Sequence, residues 1–491
     1  MAAEPYVEAA SPAGDLPAPF RPGLGIRAGY GLGSLAFGIT ATVLAGSVLQ
    51  LYFNQVIGLP AAWVGAAIMA TILIDAVIDP LIGRFSDQLR TPWGRRHALM
   101  YAAALPSALG VYAMWHAPAG LSPAWLLAFM VAMLLFVRVA TSFYEIPSLA
   151  LAPELAPGYD DRTTLLAWRF VFSIGGAAAM NLILYQVFLR EDAANPLGVL
   201  NRDRYEAFGV LAAVVIFVAI VVSSLATHSR IRHLHVPSAR PQGLREGLRD
   251  LKSSLSQPQL VKLLFATLLN GLGGGVYFGL LAYMFLGFWG LKPQELALVL
   301  LAPPIGALIA LWVVPRLSGR FGKRPFMMAC YLGWLLMFVA PYTARYLGLM
   351  PPNGSAGVWK TLAGLEVVAS TFAYGVHIVL RSMLADAADD VAVKTGLRSE
   401  GVLFAAYGVL DKWGQGLGAL GAGLILTFVH FPVRIAPGAV EPGILAGLIL
   451  MAIPVIAGAN MVAMVLISQF HLDRAQHERN LAELQRRAGA P

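Results

Sequence analysis

Long apolar segments alternate with short polar stretches along almost the whole of this 491-residue chain. An α-helix of about 20 residues crosses the roughly 30 Å hydrocarbon core of a bilayer, and most of the apolar segments reach that length. The pattern therefore predicts an all-α membrane protein with twelve transmembrane helices. The predicted spans are residues 27–53, 62–85, 97–117, 123–152, 164–189, 207–227, 260–289, 295–315, 325–346, 359–385, 400–429 and 442–470.

A long polar stretch divides the predicted spans into two sets of six. We expect an N-terminal six-helix bundle at 27–227 and a C-terminal six-helix bundle at 259–470, joined by a cytoplasmic linker at 228–258. Residues 1–26 are rich in Ala and Pro and are predicted to form a disordered cytoplasmic tail. Residues 471–491 are predicted to form a charged, amphipathic cytoplasmic tail.

A weak internal repeat relates the two sets of spans. Gly83-Arg84-Phe85-Ser86-Asp87 and then Gly94-Arg95-Arg96 follow the second span, and Gly319-Arg320-Phe321-Gly322-Lys323-Arg324 follows the eighth, which is the corresponding position. Two six-helix pseudo-repeats with a basic turn in each are typical of the major facilitator fold, in which the substrate binds at the midplane between the halves. We assign Asp87, Arg95 and Arg96 to a cytoplasmic gate.

Composition and charge placement agree with a membrane protein. Charged residues make up 13% of the chain, against about 25% in soluble domains. Lys and Arg cluster in alternate loops, so the positive-inside rule predicts that both termini are cytoplasmic, in a bacterial inner membrane. The net charge of +8 therefore does not indicate nucleic acid. The single cysteine, Cys330, excludes an intramolecular disulfide, and no hydrolytic motif indicates an enzyme.

Acidic residues lie inside two of the predicted spans. Asp75 and Asp79 are one helical turn apart in the second span, and Glu145 with Ser142 lies in the fourth. A charge at membrane depth costs at least about 2.5–3.5 kcal/mol, so buried acids indicate a functional site. We predict a cation site at Asp75, Asp79, Glu145 and Ser142, where the three carboxylates would ligate the metal if the ion is Na⁺. The alternative is that these acids only pair with buried arginines.

Basic and aromatic residues inside the spans are candidates for a substrate site. Arg138, Arg169 and Lys412 lie within the fourth, fifth and eleventh spans, and His377 lies within the tenth. Trp168 and Tyr407 are large aromatic residues that could line a polar cavity. The alternative for each base is neutralisation of a nearby acid, and for each aromatic residue it is core packing.

Two motifs resemble those of the glycoside–pentoside–hexuronide:cation symporters. The first runs from Ile74-Asp75-Ala76-Val77-Ile78-Asp79-Pro80 to Thr91-Pro92-Trp93-Gly94-Arg95-Arg96, and the second is Ala385-Asp386-Ala387-Ala388-Asp389 with Thr395-Gly396-Leu397-Arg398. The resemblance implies a monomeric symporter without a cofactor, driven by Na⁺ or H⁺. It implies that Asp75, Asp79, Glu145 and Ser142 bind the cation, and that Arg169, Lys412 and His377 line the substrate site.

The substrate class stays open at this stage. The first span has no acid after Arg27, and Phe37 or Gly38 stands where sugar-transporting members of the family have an acid. Leu149 and Ile78 are further positions at which this chain departs from those members. With its bases retained, the cavity is expected to be positive and to favour an anionic group such as a hexuronate. A glycoside or hexuronide is the first prediction, a lysophospholipid or another amphiphile is the alternative, and a non-transporting scaffold is a remote one.

Overall fold

The computed structural model describes residues 22–44, 47–156, 158–193, 195, 198–231, 257–395, 400–470, 476, 478–480, 482–483 and 486. The predicted tail at 1–26, the linker at 228–258 and the tail at 471–491 lie largely outside these residues. All the regular elements in the described part of the chain are helices, as the sequence predicts.

Among the described residues there are fifteen α-helices, and three of them continue directly into a short π-helix: α3 into Tyr52–Ile57, α7 into Leu184–Phe188 and α9 into Tyr283–Phe288. The α-helices are α1 (Leu24–Leu32), α2 (Ser34–Leu44), α3 (Ser47–Leu51), α4 (Ala61–Gln88), α5 (His97–Trp115), α6 (Pro123–Leu155), α7 (Tyr159–Ile183), α8 (Arg202–His228), α9 (Pro258–Ala282), α10 (Pro293–Val299), α11 (Ala302–Phe321), α12 (Lys323–Tyr346), α13 (Ala356–Thr395), α14 (Glu400–Phe428) and α15 (Pro442–Ser468).

Each of the twelve predicted spans coincides with a helix or with helices that follow one another directly. In the described part of the chain, ten helical segments are long and apolar enough to cross a membrane, and the pair Leu24–Thr42 and Ser47–Ile57, bent by 41°, makes up to eleven. The remaining predicted span, the eleventh, is α14, which is 29 residues long. Asp411, Lys412 and Gln415 lie within it and lower its apolar character.

Helices of the two halves pack closely where α4 crosses α14. Gly65 of α4 lies so near α14 that a Cβ atom there would be 2.6 Å from the carbonyl oxygen of Ala419. A Cβ atom on Gly423 of α14 would likewise be 2.4 Å from the carbonyl oxygen of Ala61. Because no side chain fits at either crossing, these glycines let the backbones of the two halves touch.

Hydrogen bonds join the two halves at the end of the molecule opposite the basic turns. The Gln55 side chain donates to the Pro432 carbonyl at 2.9 Å, and Arg434 donates to the Ile57 carbonyl at 2.7 Å. Tyr283 donates to the Gln50 carbonyl at 3.2 Å. The halves are therefore closed against each other at this end.

A fully buried aromatic cluster forms part of the core of the N-terminal half. Tyr52 packs edge-on against Trp115 with ring centroids 4.9 Å apart, and Trp115 stacks on Tyr205 at 5.6 Å. The hydroxyl of Tyr52 donates to the Trp115 carbonyl. This cluster holds the ends of α3, α5 and α8 together beside the closed end.

Candidate functional site

A cavity of about 360 Å³ lies between the halves. Its wall is built from α2, α4 and α6 of the N-terminal half and from α9 and α14 of the C-terminal half. Hydrophobic side chains such as Phe37, Ile72 and Phe278 cover much of the wall. Its charged lining residues are Asp75, Asp79, Arg138, Glu145, Asp411 and Lys412.

Lys412 of α14 reaches across this central cavity and contacts both aspartates of α4. Its ammonium group lies 2.8 Å from Oδ2 of Asp75 and also donates to Oδ2 of Asp79. The hydroxyl of Ser142 on α6 donates to the other oxygen of Asp79 at 2.7 Å. A cation of the C-terminal half is therefore held between two carboxylates of the N-terminal half, one of which also accepts a hydrogen bond from Ser142.

Arg138 adds a second positive charge beside the aspartates. Its guanidinium group is 3.8 Å from Oδ2 of Asp75, and both side chains are largely buried. Two bases, Arg138 and Lys412, thus face the two acids Asp75 and Asp79. The other oxygen of Asp75 is buried and has no hydrogen-bond partner among the described residues. This carboxylate keeps one unused acceptor that a further cation or a water molecule could use.

Glu145 is held by a different base. Nη2 of Arg169 on α7 lies 2.5 Å from Oε1 of Glu145, and Nη1 donates to the Ser148 hydroxyl at 2.6 Å. The guanidinium carbon also lies 5.2 Å from the centre of the Tyr30 ring. Arg169 is 5% exposed, so it is fixed on several sides and holds Glu145 in place at the cavity wall.

The structure brings only part of the predicted cation site together. Asp75, Asp79 and Ser142 form one cluster, whereas Glu145 is drawn to Arg169. Within the described ranges, no group of three or more His, Cys, Asp or Glu side chains is placed to hold a metal ion. The three carboxylates predicted as sodium ligands therefore do not form one site in this conformation, because a buried guanidinium group competes for the third.

The charge of the cavity also differs from expectation. The sequence predicted a positive cavity, but its wall carries four carboxyl groups and two basic groups. Arg169 is next to the cavity and is neutralised by Glu145. Arg381 of the tenth predicted span, which also contributed to the expected positive charge, lies elsewhere, with its guanidinium carbon 5.7 Å from the ring centre of Tyr407. The expectation was wrong because it counted the bases and not the acids that face them.

Besides Arg169, three residues predicted to bind substrate lie outside the central cavity. Trp168 stacks on Phe172 with ring centroids 5.9 Å apart and packs against α1. Tyr407 is buried in the C-terminal half. His377 lines a second cavity, of about 250 Å³, which is built from helices of the C-terminal half alone. Their roles in substrate binding stay predictions.

The second cavity contains an acid that sequence reasoning missed. Glu366 of α13 lines it and accepts a hydrogen bond of 3.1 Å from the Tyr277 hydroxyl. Glu366 lies within the predicted span 359–385, and an acid inside a span is the same signal that identified Asp75 and Asp79. Glu366 lies close to the predicted start of its span, where an acid is usually solvated.

The basic turns form matching ion pairs in the two halves. Arg95 and Arg96 lie 2.5 and 2.6 Å from Glu154 at the end of α6, and Arg96 lies 3.4 Å from Asp87. In the C-terminal half, Lys323 lies 2.6 Å from Asp386 of α13. Each basic turn is therefore tied to the fourth span of its own half, which supports the internal repeat. Glu154 was not predicted, because it lies beyond the predicted end of its span.

Comparison with protein families gives one match that covers most of the chain. The sequence model of the MFS/sugar transport protein family matches residues 29–474. An uncharacterized symporter of a Synechocystis species is 28% identical, over 83% of this chain and 86% of that protein. The isoprimeverose transporter of Lactiplantibacillus pentosus is 24% identical, over 82% of this chain and 79% of that protein.

Solved structures with the same fold include the xylose transporter XylE of Escherichia coli in an inward-open conformation. The TM-score is 0.62, and the likeness covers 93% of this chain and 98% of the other. The sequence identity of 16% means that this comparison speaks to the fold alone.

Proposed function

Since the chain belongs to the MFS/sugar transport protein family of membrane transporters, we propose that it couples a cation, Na⁺ or H⁺, to the symport of a small glycoside. The family and the major facilitator fold predicted from the sequence motifs are both confirmed. The cation, the substrate and the residues that bind them belong to the proposal.

The contact of Lys412 with Asp75 and Asp79 is the observation that carries the proposal. The ammonium group occupies the place between two carboxylates that a small cation would take. A cation that binds there displaces Lys412, and this breaks a link between the halves. The freed Lys412 then becomes available to the substrate, so cation and substrate binding strengthen each other by the same factor.

The closed end indicates which step of the cycle is represented. The halves are joined near Gln55 and Pro432, at the end of the molecule opposite the basic turns. Basic turns face the cytoplasm under the positive-inside rule, so this conformation is the inward-facing one, and both termini are cytoplasmic. Rocking the halves apart at the closed end would expose the same site to the outside. The protein acts as a monomer in the bacterial inner membrane.

The charge balance of the central cavity favours a neutral glycoside over a hexuronide. Both bases on its wall, Arg138 and Lys412, already face aspartates. With the coupling cation bound and Lys412 displaced, the wall still carries four carboxyl groups against two bases and one cation, so a hexuronate would add a fifth acid. The hydroxyl groups of a glycoside can instead donate charge-assisted hydrogen bonds to these carboxylates. The same argument disfavours the phosphate of a lysophospholipid.

Transport into proteoliposomes tests the proposal. Purified protein is reconstituted, and uptake of labelled methyl glycosides and disaccharides is measured under an imposed Na⁺ gradient and, separately, under a pH gradient. One of the two gradients should drive accumulation in the wild type, and Asp79→Asn should abolish it. The matched control is Asp203→Asn, which removes an exposed aspartate from the first turn of α8.

Other outcomes separate the alternatives. Accumulation of hexuronides alone would show that the charge argument is wrong, and accumulation of lysophospholipids alone would replace the sugar by an amphiphile. Undiminished cation-driven uptake in Asp79→Asn would refute the cation site. Folded protein that transports none of these compounds under either gradient would point to a scaffold.

A further inference from the structure

The second cavity lies wholly within the C-terminal half, and six of its 18 lining residues are aromatic. Its volume of about 250 Å³ is below the roughly 300 Å³ at which pockets for drug-sized ligands begin, so it suits one ring of a larger ligand. Its aromatic lining residues are Tyr277, Phe278, Phe285, Tyr331, Trp334 and Tyr374.

Glu366 is the acid of this cavity, and it has no basic partner. Among the described residues, no nitrogen of Lys, Arg or His lies within 4.0 Å of its carboxylate, whose one hydrogen bond comes from Tyr277. This separates it from Asp75 and Glu145, which both have such a partner. A buried carboxyl group with one donor keeps acceptor capacity for a ligand.

Tyr331 provides a second group without a partner. Its side chain is 2% exposed, and its hydroxyl makes no hydrogen bond to any described residue although it lines the cavity. Leaving a buried hydroxyl unpaired costs about 1–3 kcal/mol, so a ligand that pairs with it recovers that cost. Asn270 and Asn460 add amide groups to the same wall.

We propose that this cavity is a second sugar subsite, which binds the outer ring of a two-ring substrate while the first ring lies in the central cavity. The proposal rests on the proposed glycoside transport. Ring hydroxyls donate to Glu366 and pair with the Tyr331 hydroxyl, and the apolar face of the ring lies against the aromatic side chains. Phe278 is half exposed and lines both cavities, so the two cavities are adjacent and its side chain lies where a ligand that occupies both would pass.

Binding to purified protein tests the subsite. Isothermal titration calorimetry compares methyl β-D-glucoside with cellobiose, and methyl β-D-xyloside with xylobiose. The variants are Glu366→Gln, whose amide oxygen still accepts the Tyr277 hydrogen bond, and Tyr331→Phe. The control is Tyr185→Phe, which removes another fully buried hydroxyl without a partner, one that lines neither cavity.

Glu366→Gln should weaken binding of the preferred disaccharide by about tenfold and Tyr331→Phe by about threefold, whereas the methyl glycoside should change by less than about twofold. The Tyr185→Phe protein should match the wild type for both ligands. Unchanged disaccharide affinity in both cavity variants would overturn the subsite and leave the proposed symport intact.

Three further outcomes also count against the subsite. Equal losses for the monosaccharide and the disaccharide would mean that Glu366 acts on the central cavity or on the fold. Binding of tetramethylammonium that is lost in Glu366→Gln, together with unchanged disaccharide binding, would assign the cavity to a cation. If the wild type binds no sugar of either length, the glycoside assignment fails first, and the subsite fails with it.

Discussion

Replacing Lys412 by Met should tighten sodium binding if the Lys412 ammonium occupies the cation's place. Methionine keeps the apolar stem of the side chain and removes its charge. In the wild type, a sodium ion must first displace Lys412 from Asp75 and Asp79. In the Lys412→Met variant that competition is absent, so the two carboxylates remain in the cavity without their nearest positive partner.

The size of the effect follows from the geometry. At the 2.8 Å between Nζ and Oδ2 of Asp75, Coulomb attraction with an effective dielectric constant of about 20 is about 6 kcal/mol. The Lys412 side chain is 35% exposed, so solvent screens the pair. Its net value therefore lies below the roughly 3–5 kcal/mol typical of a broken buried pair, at about 2–3 kcal/mol. That free energy corresponds to a roughly 30- to 150-fold lower Kd for Na⁺.

Calorimetric Na⁺ titration at pH 8 in the absence of substrate measures this affinity directly. Lys412→Arg keeps the charge and should bind Na⁺ as weakly as the wild type. Lys262→Ala, at a partly exposed lysine that does not line the central cavity, controls for the loss of a positive charge elsewhere. The competition model is refuted if Lys412→Met binds Na⁺ with the wild-type affinity or more weakly. If H⁺ is the coupling ion, the same variants should show the difference in proton uptake between pH 6 and pH 8.

Three more predictions test the crossing of α4 with α14, the basic turn and the C-terminal core. Gly65→Leu should drive α4 and α14 apart and lower uptake by about tenfold or more. Gly408→Leu, at a glycine with open space around it, should leave uptake near the wild-type value, and the transport assay compares both variants. Arg96→Ala should destabilise the protein by about 3 kcal/mol because it breaks a largely buried ion pair to the end of α6, and the exposed Arg84→Ala should change stability by less than about 0.5 kcal/mol in thermal unfolding. Cys330 is 2% exposed, so N-ethylmaleimide should label it only after denaturation; rapid labelling of the folded protein, read by mass spectrometry, would contradict the packing of α12 against α13.

The sequence predicted the helices well because membrane spans are a property of local composition. An apolar run of about 20 residues has few alternatives in a bilayer, and all twelve predicted spans coincide with helices. Asp75 and Asp79 could be recognised for the same reason, since charges at membrane depth stand out against their neighbours. These inferences use only residues that are close together in the chain.

Partners across the fold could not be predicted in the same way. Lys412 contacts Asp79, which is 333 residues away in the chain. Glu145 pairs with Arg169 and not with Arg138, although Arg138 is nearer in the sequence. Such choices depend on how α4, α6, α7 and α14 are oriented against each other. Local composition does not determine these orientations. The prediction of a positively charged cavity was therefore wrong even though every base was identified.

The closed end has an evolutionary consequence. The bonds from Gln55 to Pro432, from Arg434 to Ile57 and from Tyr283 to Gln50 all end on main-chain carbonyl oxygens. A carbonyl group is present whatever the side chain, so a mutation at an acceptor position leaves the bond intact. The donor positions are constrained in identity, and so is Asn54, whose side-chain oxygen also accepts from Tyr283 at 2.9 Å. At the other acceptor positions the side chains can change while the backbone keeps its course. Relatives of this protein could therefore diverge widely in these loops and still close in the same way.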